Sequence, residues 1–389
     1  MLTPHPGGSM IRRFLREIII CCFHVASIMM RQRPHLKGKE HLRAMPTPII
    51  ISPTHDSYYE IPSLSRVYYS LKPRPDFVVL AKEDFLSGSY LAKNFGRNNF
   101  LLKCVFTFLD KTALPFIIFK IMRLTTIHRP FTDTYAKKRD QLHSEIGRQI
   151  NSTRESISRG LSTLVFPEGT TWGFGGLKKI RSVVYQLVEN TYQSARQKVH
   201  VMPINVKVDR LVKGGKDIFI NVGRPVFFRC PKEEFNERLG AILRQLHTIT
   251  FSQIASCYLR RLAETHRNAK ETLVLARERF VSAMERITKE IGEMVRRNAL
   301  PDFDAALLDS TYLLKKVDGF IEYCVKNRYL RPLLAGRQED AFVLDIESIL
   351  GSYPDREYRT RNPIGFHANE LLSLGEAAIR RLFDAHLGA

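Results

Sequence analysis

The sequence predicts an α/β fold with a mixed, largely parallel sheet flanked by helices, followed by a C-terminal α-helical region. Between residues 35 and 230, short runs rich in valine, isoleucine, leucine and threonine alternate with segments of helical spacing. This alternation is typical of parallel sheets whose strands are joined by helices. After residue 230 apolar residues recur at intervals of three and four, which is the period of an α-helix.

Six strand-like segments define the predicted sheet. Each is short and bounded by proline, glycine or charged residues, as strands commonly are. In chain order they are TPIII, DFVVLA, LTTIHR, LSTLVF, HVMPINVKV and DIFINVG. The segment YAKKRDQLHSEIGRQINSTRESISRG, between the third and the fourth, has the spacing of a long helix.

The C-terminal region begins with an amphipathic pattern that starts at Leu273 and predicts one face of a long helix. Its apolar positions are Ala276, Phe280, Met284, Ile287, Ile291 and Met294. NALPDFD ends this helix, and further helices are expected around 303–326 and 367–384. We therefore divide the chain into an N-terminal segment (1–34), a central domain (35–230) and a helical domain (231–389).

The N-terminal segment carries a predominantly apolar run of 13 residues, from Ile18 to Met30, with arginines on both sides. As a helix this run is roughly 20 Å long, whereas crossing a bilayer takes about 20 residues. We expect a helix that lies in the membrane interface on the cytoplasmic face, which makes the protein peripheral or monotopic rather than multi-spanning. The alternative is a core helix capped by solvated arginines.

The most apolar part of the central domain is NNFLLKCVFTFLDKTALPFIIFKIMRL, residues 98–124. Buried helices are its ordinary interpretation. An exposed apolar face that enters the bilayer or receives an acyl chain is the other.

Basic residues are concentrated in the first part of the chain. The net charge is +21, and residues 231–389 contribute only +1 of it, with 24 basic and 23 acidic residues. The other 36 basic and 16 acidic residues lie before them. We expect this part to attract an anionic membrane surface, a phosphorylated substrate or an acidic carrier protein; nucleic acid is a further polyanion that charge alone does not exclude.

The six cysteines include no Cys-x-x-Cys pair, and no residues have the spacing of a tetrahedral zinc site. We expect a reducing compartment, no disulfide framework and no bound metal.

One candidate catalytic residue is His55, in the stretch IISPTHDSYYE. A dyad with Asp56 is found in metal-dependent phosphohydrolases, but no further histidines have matching spacing here. Glu60 can meet His55 if the histidine lies in the turn before a helix. A carboxylate on one imidazole nitrogen leaves the other nitrogen free to act as a general base. In isolation, this spacing also fits a structural histidine.

A second candidate stretch is FPEGT, residues 166–170, directly after the strand-like LSTLV. Open α/β sheets bind ligands where their strands end. Gly169 allows a close backbone approach, and Glu168 and Thr170 offer a carboxylate and a hydroxyl to polar substrate groups. A solvated loop with a helix cap is the alternative.

Together these stretches resemble the lysophosphatidate and glycerol-phosphate acyltransferase superfamily. Thr54-His55 and Glu60 are similar to its Asn-His-x4-Asp motif, and 166–170 resembles the start of its Phe-Pro-Glu-Gly-Thr-Arg-Ser motif. TTIHR, which ends in Arg129, and VMPIN, around Pro203, look like its two remaining motifs. KGKEHL and VGRPV resemble its flanking pieces.

The resemblance implies that His55, oriented by Glu60, removes a proton from a glycerol-type hydroxyl, which then attacks an acyl thioester. The resemblance also implies which residues bind the phosphate region of the acceptor: Arg129, Glu168, Gly169 and Thr170. Acyl-CoA or acyl-carrier protein is the co-substrate, and no cofactor is expected. The acceptor is a lysophospholipid or glycerol phosphate, and a nucleic-acid partner is not expected.

Two departures from the family pattern bear on the acceptor. Glu60 stands where aspartate is usual, and Thr171-Trp172 stand where Arg-Ser is usual. Lys178 and Lys179 could replace the missing cation, or they belong to a solvated run. The departures also motivate an alternative function, a non-catalytic lipid- or nucleic-acid-binding protein on a degenerate acyltransferase fold.

Overall fold

The structure is a computed structural model. It describes residues 6–43, 45–55, 59, 61–81, 92, 103–104, 107–108, 111–112, 114–126, 139–169, 173–268, 272–333 and 340–387.

A seven-stranded sheet forms the centre of the first part of the chain, in the order β1-β7-β6-β2-β5-β3-β4. Every neighbouring pair is parallel except β6 with β7, so the predicted mixed, largely parallel α/β sheet is confirmed. The strands are β1 (Gln32–Lys37), β2 (Ile49–Pro53), β3 (Phe77–Ala81), β4 (Leu124–Thr126), β5 (Ser162–Leu164), β6 (His200–Val208) and β7 (Lys216–Val222).

Helices cover both faces of the sheet. They are α1 (Pro6–Met29), α2 (Ser65–Ser70), α3 (Leu114–Ile121), α4 (Arg139–Ser158), α5 (Val183–Ala195) and α6 (Lys232–Gln245), with 3-10 turns at Lys39–Leu42 and Ile61–Leu64. Alternate strand residues point to opposite faces. Ile49 and Ile51 therefore pack in the cluster that includes α2, whereas Ile50 packs with Leu187 of α5 and Leu239 of α6.

The second part of the chain is mostly helical, as predicted. Its helices are α7 (Phe251–Thr265), α8 (Arg277–Arg296), α9 (Ser310–Lys326), α10 (Ile346–Leu350), α11 (Asp355–Arg361), α12 (Pro363–Leu372) and α13 (Glu376–Asp384), with a 3-10 turn at Ala305–Leu308. Buried aromatic side chains of α7, α8 and α9 fill its core: Phe251, Tyr258, Phe280 and Phe320.

Small sheets between these helices were not predicted. β8 (Thr248–Ile249) pairs with β10 (Asp302–Phe303), and β12 (Ala341–Leu344) lies between β9 (Val274–Ala276) and β11 (Leu330–Pro332). The long helix was expected from Leu273, but α8 begins at Arg277 because β9 pairs with β12. Hydrogen bonding to a distant strand overrides the helical pattern at these three residues.

A buried ion cluster joins the sheet to the helical part. Lys316 of α9 contacts Asp209, which follows β6, and lies 2.6 Å from the carboxylate of Asp217 on β7. Arg33 and His35 of β1 reach the same Asp217 carboxylate at 2.6 and 2.8 Å. Burial alone lowers the pKa of the Lys316 ammonium, but the two carboxylates outweigh it, so this pKa is raised.

Helix α1 packs on the sheet domain through one face and exposes the other. Arg16 donates to Asp76 at 2.7 Å and Tyr68 donates to Glu17 at 2.5 Å, while Ile20 is buried. The exposed apolar side chains of this helix are Met10, Ile11, Phe14, Ile18, Val25, Ile28 and Met29. Among the described residues, no helix has the length and apolarity needed to cross a membrane.

Candidate active site

His55 lies just beyond the carboxyl end of β2, a central strand that pairs with β5 on one side and β6 on the other. The residue before it is held to β6 by three hydrogen bonds. The Thr54 N–H donates to the carbonyl of Ile204 at 2.8 Å, the Thr54 hydroxyl accepts from the Val206 N–H at 2.9 Å, and the same hydroxyl donates to the Val206 carbonyl at 3.4 Å. His55 is only 8% exposed. The sheet therefore fixes the backbone from which the imidazole projects.

The FPEGT turn packs directly against His55. The rings of His55 and Phe166 lie 4.6 Å apart, centroid to centroid. Glu168 is buried, and its Oε1 accepts from the backbone N–H of His55 at 3.1 Å. Its Oε2 accepts from the backbone N–H of Lys178 at 2.9 Å. One carboxylate therefore connects the histidine segment, its own turn and the following loop.

The environment of Glu168 changes its acidity. Burial raises the pKa of this carboxyl, although the two backbone hydrogen bonds and the charge of Lys207 oppose the shift. The sequence interpretation directs Glu168 toward the substrate, whereas the structure shows each of its oxygens accepting a backbone N–H. Each oxygen keeps further lone-pair capacity for a ligand.

The predicted site residues divide into those that the structure describes and those that it does not. Glu60, Arg129 and Thr170 lie outside the described residues, as does Asp56, the other possible partner of His55. Gly169 has φ +69°, a conformation that glycine adopts without strain. Lys178 is half-buried and Lys179 exposed.

A cleft opens beside His55. The sheet domain and the helical part both line it. The lining residues are Thr54, His55, Glu168, Gly176, Leu177, Asn205, Lys207, Arg244, His247, Phe366, Glu370, Ser373 and Leu374. In the part of the chain that the structure describes, neither Lys178 nor Lys179 belongs to this lining.

Helices α11 and α12 hold the loop that follows the FPEGT turn. Asn369 donates through Nδ2 to the carbonyl of Phe174 at 2.8 Å, and the Phe174 ring stacks on Tyr358 at 4.7 Å. A Cβ on Gly173 would lie 1.5 Å from the Asp355 carbonyl oxygen, and a Cβ on Gly175 would lie 2.3 Å from that of Phe366. Glycine is required at both positions because backbone meets backbone.

A buried polar cluster completes the wall of the cleft. Glu370 of α12 lies 2.5 Å from Lys207 of β6 and 2.8 Å from Nδ1 of His367, and it accepts from Gln253 at 3.2 Å. Burial by itself raises the pKa of Glu370, but Lys207 and His367 outweigh it and hold this pKa well below its ordinary value.

The sequence interpretation missed the contribution of the helical part to the cleft. The glycines of GFGG at 173–176 carried the available signal, since clustered glycines indicate a close backbone approach. Nothing in that pattern says which segment approaches. No group of three or more His, Cys, Asp or Glu side chains placed to hold a metal ion occurs among the residues described here.

Comparison with known protein families finds a match to part of the chain. Residues 33–207, from β1 almost to the end of β6, match the family described as Acyltransferase, and this range includes both His55 and Glu168. The matched segment is a little under half of the chain, and over this segment the chain is similar to that family.

A solved structure with a similar chain is that of the 1-acyl-sn-glycerophosphate (LPA) acyltransferase PlsC from Thermotoga maritima. The match has 14% sequence identity and a TM-score of 0.40, and it covers 62% of this chain and 82% of that one. No curated protein matches the chain.

Proposed function

We propose that this protein is an acyltransferase that moves a fatty acyl group from an acyl thioester to the hydroxyl of a glycerol-phosphate or lysophospholipid acceptor at a membrane surface. The observation that carries the proposal is the placement of His55. The histidine lies at the end of a central strand, lines a cleft, and is fixed through Glu168 inside a segment of the acyltransferase family.

His55 acts as the general base. Its imidazole takes the proton of the acceptor hydroxyl as the oxygen attacks the thioester carbonyl. The tetrahedral intermediate expels the thiolate, which recovers the proton from the imidazolium, so that the products are an ester and a free thiol. Glu60, as the resemblance implies, orients the ring and stabilises its protonated form. The thioester is carried by CoA or by an acyl-carrier protein.

The acceptor's phosphate lies near the FPEGT turn in this proposal. The resemblance assigns Arg129, Gly169 and Thr170 to this contact, and Lys178 and Lys179 add positive charge beside it. Glu168 fixes the position of the turn relative to His55 by accepting hydrogen bonds from the backbone N–H groups of His55 and Lys178.

Helix α1 places the enzyme on an anionic membrane. Its exposed face combines apolar side chains such as Met10 and Phe14 with Arg13, and Arg12 beside them is half-buried, the composition of a helix that lies in the headgroup region. Phe108 and Ile117, within the apolar stretch of the central domain, are also exposed.

The test is an acceptor panel. Purified full-length protein is incubated with labelled acyl-CoA, or acyl-carrier protein, and glycerol 3-phosphate, lysophosphatidate, larger lysophospholipids or monoacylglycerol, and products are identified by mass. We expect one ester product and one thiol per turnover with a phosphorylated acceptor. Binding of these lipids without acyl transfer from either donor would instead support the non-catalytic alternative.

A further inference from the structure

The charged side chains that line the cleft are nearly all committed to partners within the protein. Lys207 is paired with Glu370 at 2.5 Å, and Glu168 accepts two backbone N–H groups. Nε2 of His247 lies 3.2 Å from Oε1 of Gln253. The hydrogen bonds and charges of these side chains are therefore already used within the protein.

Arg244 differs from these groups. It lies in the last turn of α6, is exposed, and lines the cleft. Within the described ranges its guanidinium takes part in no hydrogen bond or ion pair. A guanidinium on the wall of a cleft, with its donors available, binds carboxylate or phosphate in a bidentate manner.

Asn205 provides a second, independent observation. It lies on β6, lines the same cleft and is only 3% exposed. Its Nδ2 donates to the Leu243 carbonyl at 2.7 Å, which fixes the orientation of the amide. Its Oδ1 is buried and accepts no hydrogen bond from the residues that the structure describes. A buried acceptor without a donor is costly, so this oxygen is suited to a ligand hydroxyl or amine.

The two residues are neighbours in space and lie beside the catalytic histidine. The Asn205 amide binds the carbonyl of the residue immediately before Arg244. In the parallel pairing of β2 with β6, Pro53 lies opposite Ile204. Asn205 is the next residue along β6, and His55 is two residues beyond Pro53 on the β2 side. One cleft therefore presents a base, a hydrogen-bond acceptor and a cation.

We infer that Asn205 and Arg244 complete the headgroup subsite of the acceptor beside the FPEGT turn, whose Glu168 lines the same cleft, with Asn205 Oδ1 accepting from a glycerol hydroxyl and Arg244 binding the phosphate. This inference rests on the proposed function and names the chemistry of its acceptor, a phosphate monoester of a polyol. Arg244 follows the segment that matches the family, so part of acceptor recognition comes from outside that segment.

The test is steady-state kinetics of Arg244→Gln and Arg244→Lys. Arg238→Gln is the matched control: it lies on the same helix, where its guanidinium pairs with Glu234 at 2.5 Å. Each variant is assayed with lysophosphatidate and with monoacylglycerol, which lacks the phosphate, at saturating acyl-CoA, and then with varied acyl-CoA.

We expect Arg244→Gln to raise the KM for lysophosphatidate roughly tenfold or more, since a charge-assisted hydrogen-bond pair is lost. The KM values for monoacylglycerol and for acyl-CoA stay at the wild-type level, Arg244→Lys recovers part of the loss, and Arg238→Gln behaves as wild type. An unchanged KM for lysophosphatidate overturns the inference. A raised KM for acyl-CoA alone also overturns it, because the phosphate would then belong to the donor.

Inhibition of the wild type tests Asn205 without a substitution in the core. Glycerol 3-phosphate is expected to compete with lysophosphatidate more strongly than inorganic phosphate does, because only the former offers a hydroxyl. Equal inhibition by the two removes Asn205 from the subsite. A wild type that transfers no acyl group to any acceptor refutes the proposed function itself, whereas an active wild type with an insensitive Arg244→Gln refutes only this inference.

Discussion

The carboxylate of Glu168 accepts a hydrogen bond from the backbone N–H of His55 at 3.1 Å, and its other oxygen accepts from the N–H of Lys178 at 2.9 Å. These bonds join the turn that carries Glu168 to the loop that follows it and to the His55 segment, which is 113 residues away in sequence. The carboxylate is therefore part of the framework that sets the position of the base.

Replacement of Glu168 by glutamine tests this role. The amide keeps the shape but places an NH2 group against one of the two N–H donors, which leaves a buried donor unpaired at a cost of about 1–3 kcal/mol. We expect a lower free energy of unfolding by that amount and a loss of kcat/KM of roughly tenfold or more. Glu237→Gln, an exposed site on α6, is the control. Wild-type values of both the unfolding free energy and kcat/KM would show that the two hydrogen bonds of Glu168 do not position His55.

Gly175→Ala tests the contact between the loop and α12. Gly175 has φ +94° and would place a Cβ 2.3 Å from the Phe366 carbonyl, whereas Gly214 has φ +95° and open space around it. Both alanines carry the left-handed strain of about 1–2 kcal/mol. Only Gly175→Ala must also displace α12, so we expect a larger drop in urea-unfolding free energy and a reduced kcat/KM. Equal effects of the two substitutions would contradict the contact.

The sequence predicted the architecture better than it predicted the site. Six of the seven strands of the sheet were recognisable as short runs of apolar and β-branched residues bounded by proline, glycine or charged residues. β1 was not predicted, because its sequence QRPHLK is largely polar and becomes a strand by pairing with β7. β9 was not, because Val274–Ala276 continue a helical pattern and become a strand only through pairing with β12. The cleft wall on α12 depends on contacts with Phe174 and Gly175, almost 200 residues earlier, and no local pattern encodes such a contact.

Lys316→Met tests the buried ion cluster. It leaves the carboxylates of Asp209 and Asp217 buried without their lysine, which costs about 3–5 kcal/mol of unfolding free energy at pH 7. Lys315→Met is the control, since this neighbouring lysine is exposed on the same helix. If both variants unfold at the same urea concentration as the wild type, the cluster does not stabilise the fold.

The pH dependence of the same variant has a definite sign. Burial raises the pKa of Asp209 and Asp217, but the hydrogen bond from His35 to Asp217 and the charge of Lys316 on both outweigh it, so both pKa values are lowered. A carboxyl with a lowered folded pKa stabilises the fold above its unfolded-state pKa of about 4, and this contribution is lost as pH falls through the folded value. Lys316→Met should therefore lose less stability than the wild type between pH 7 and pH 3.

Phe14→Asp tests the membrane role of α1. Phe14 is 66% exposed on α1, and Leu308, in the helical part, is 58% exposed. A charge at Phe14 opposes insertion into the headgroup region, so co-sedimentation with anionic vesicles should fall several-fold while Leu308→Asp has no effect. An equal response of the two variants would place the membrane contact elsewhere.

The most direct test of the central claim is acyl transfer by His55→Ala, with lysophosphatidate and acyl-CoA as substrates and His266→Ala as the control. The account predicts a loss of kcat of roughly a hundredfold or more, as expected when a general base is removed, with a wild-type circular dichroism spectrum and near-wild-type binding of lysophosphatidate. A folded His55→Ala protein that transfers the acyl group at the wild-type rate would contradict it.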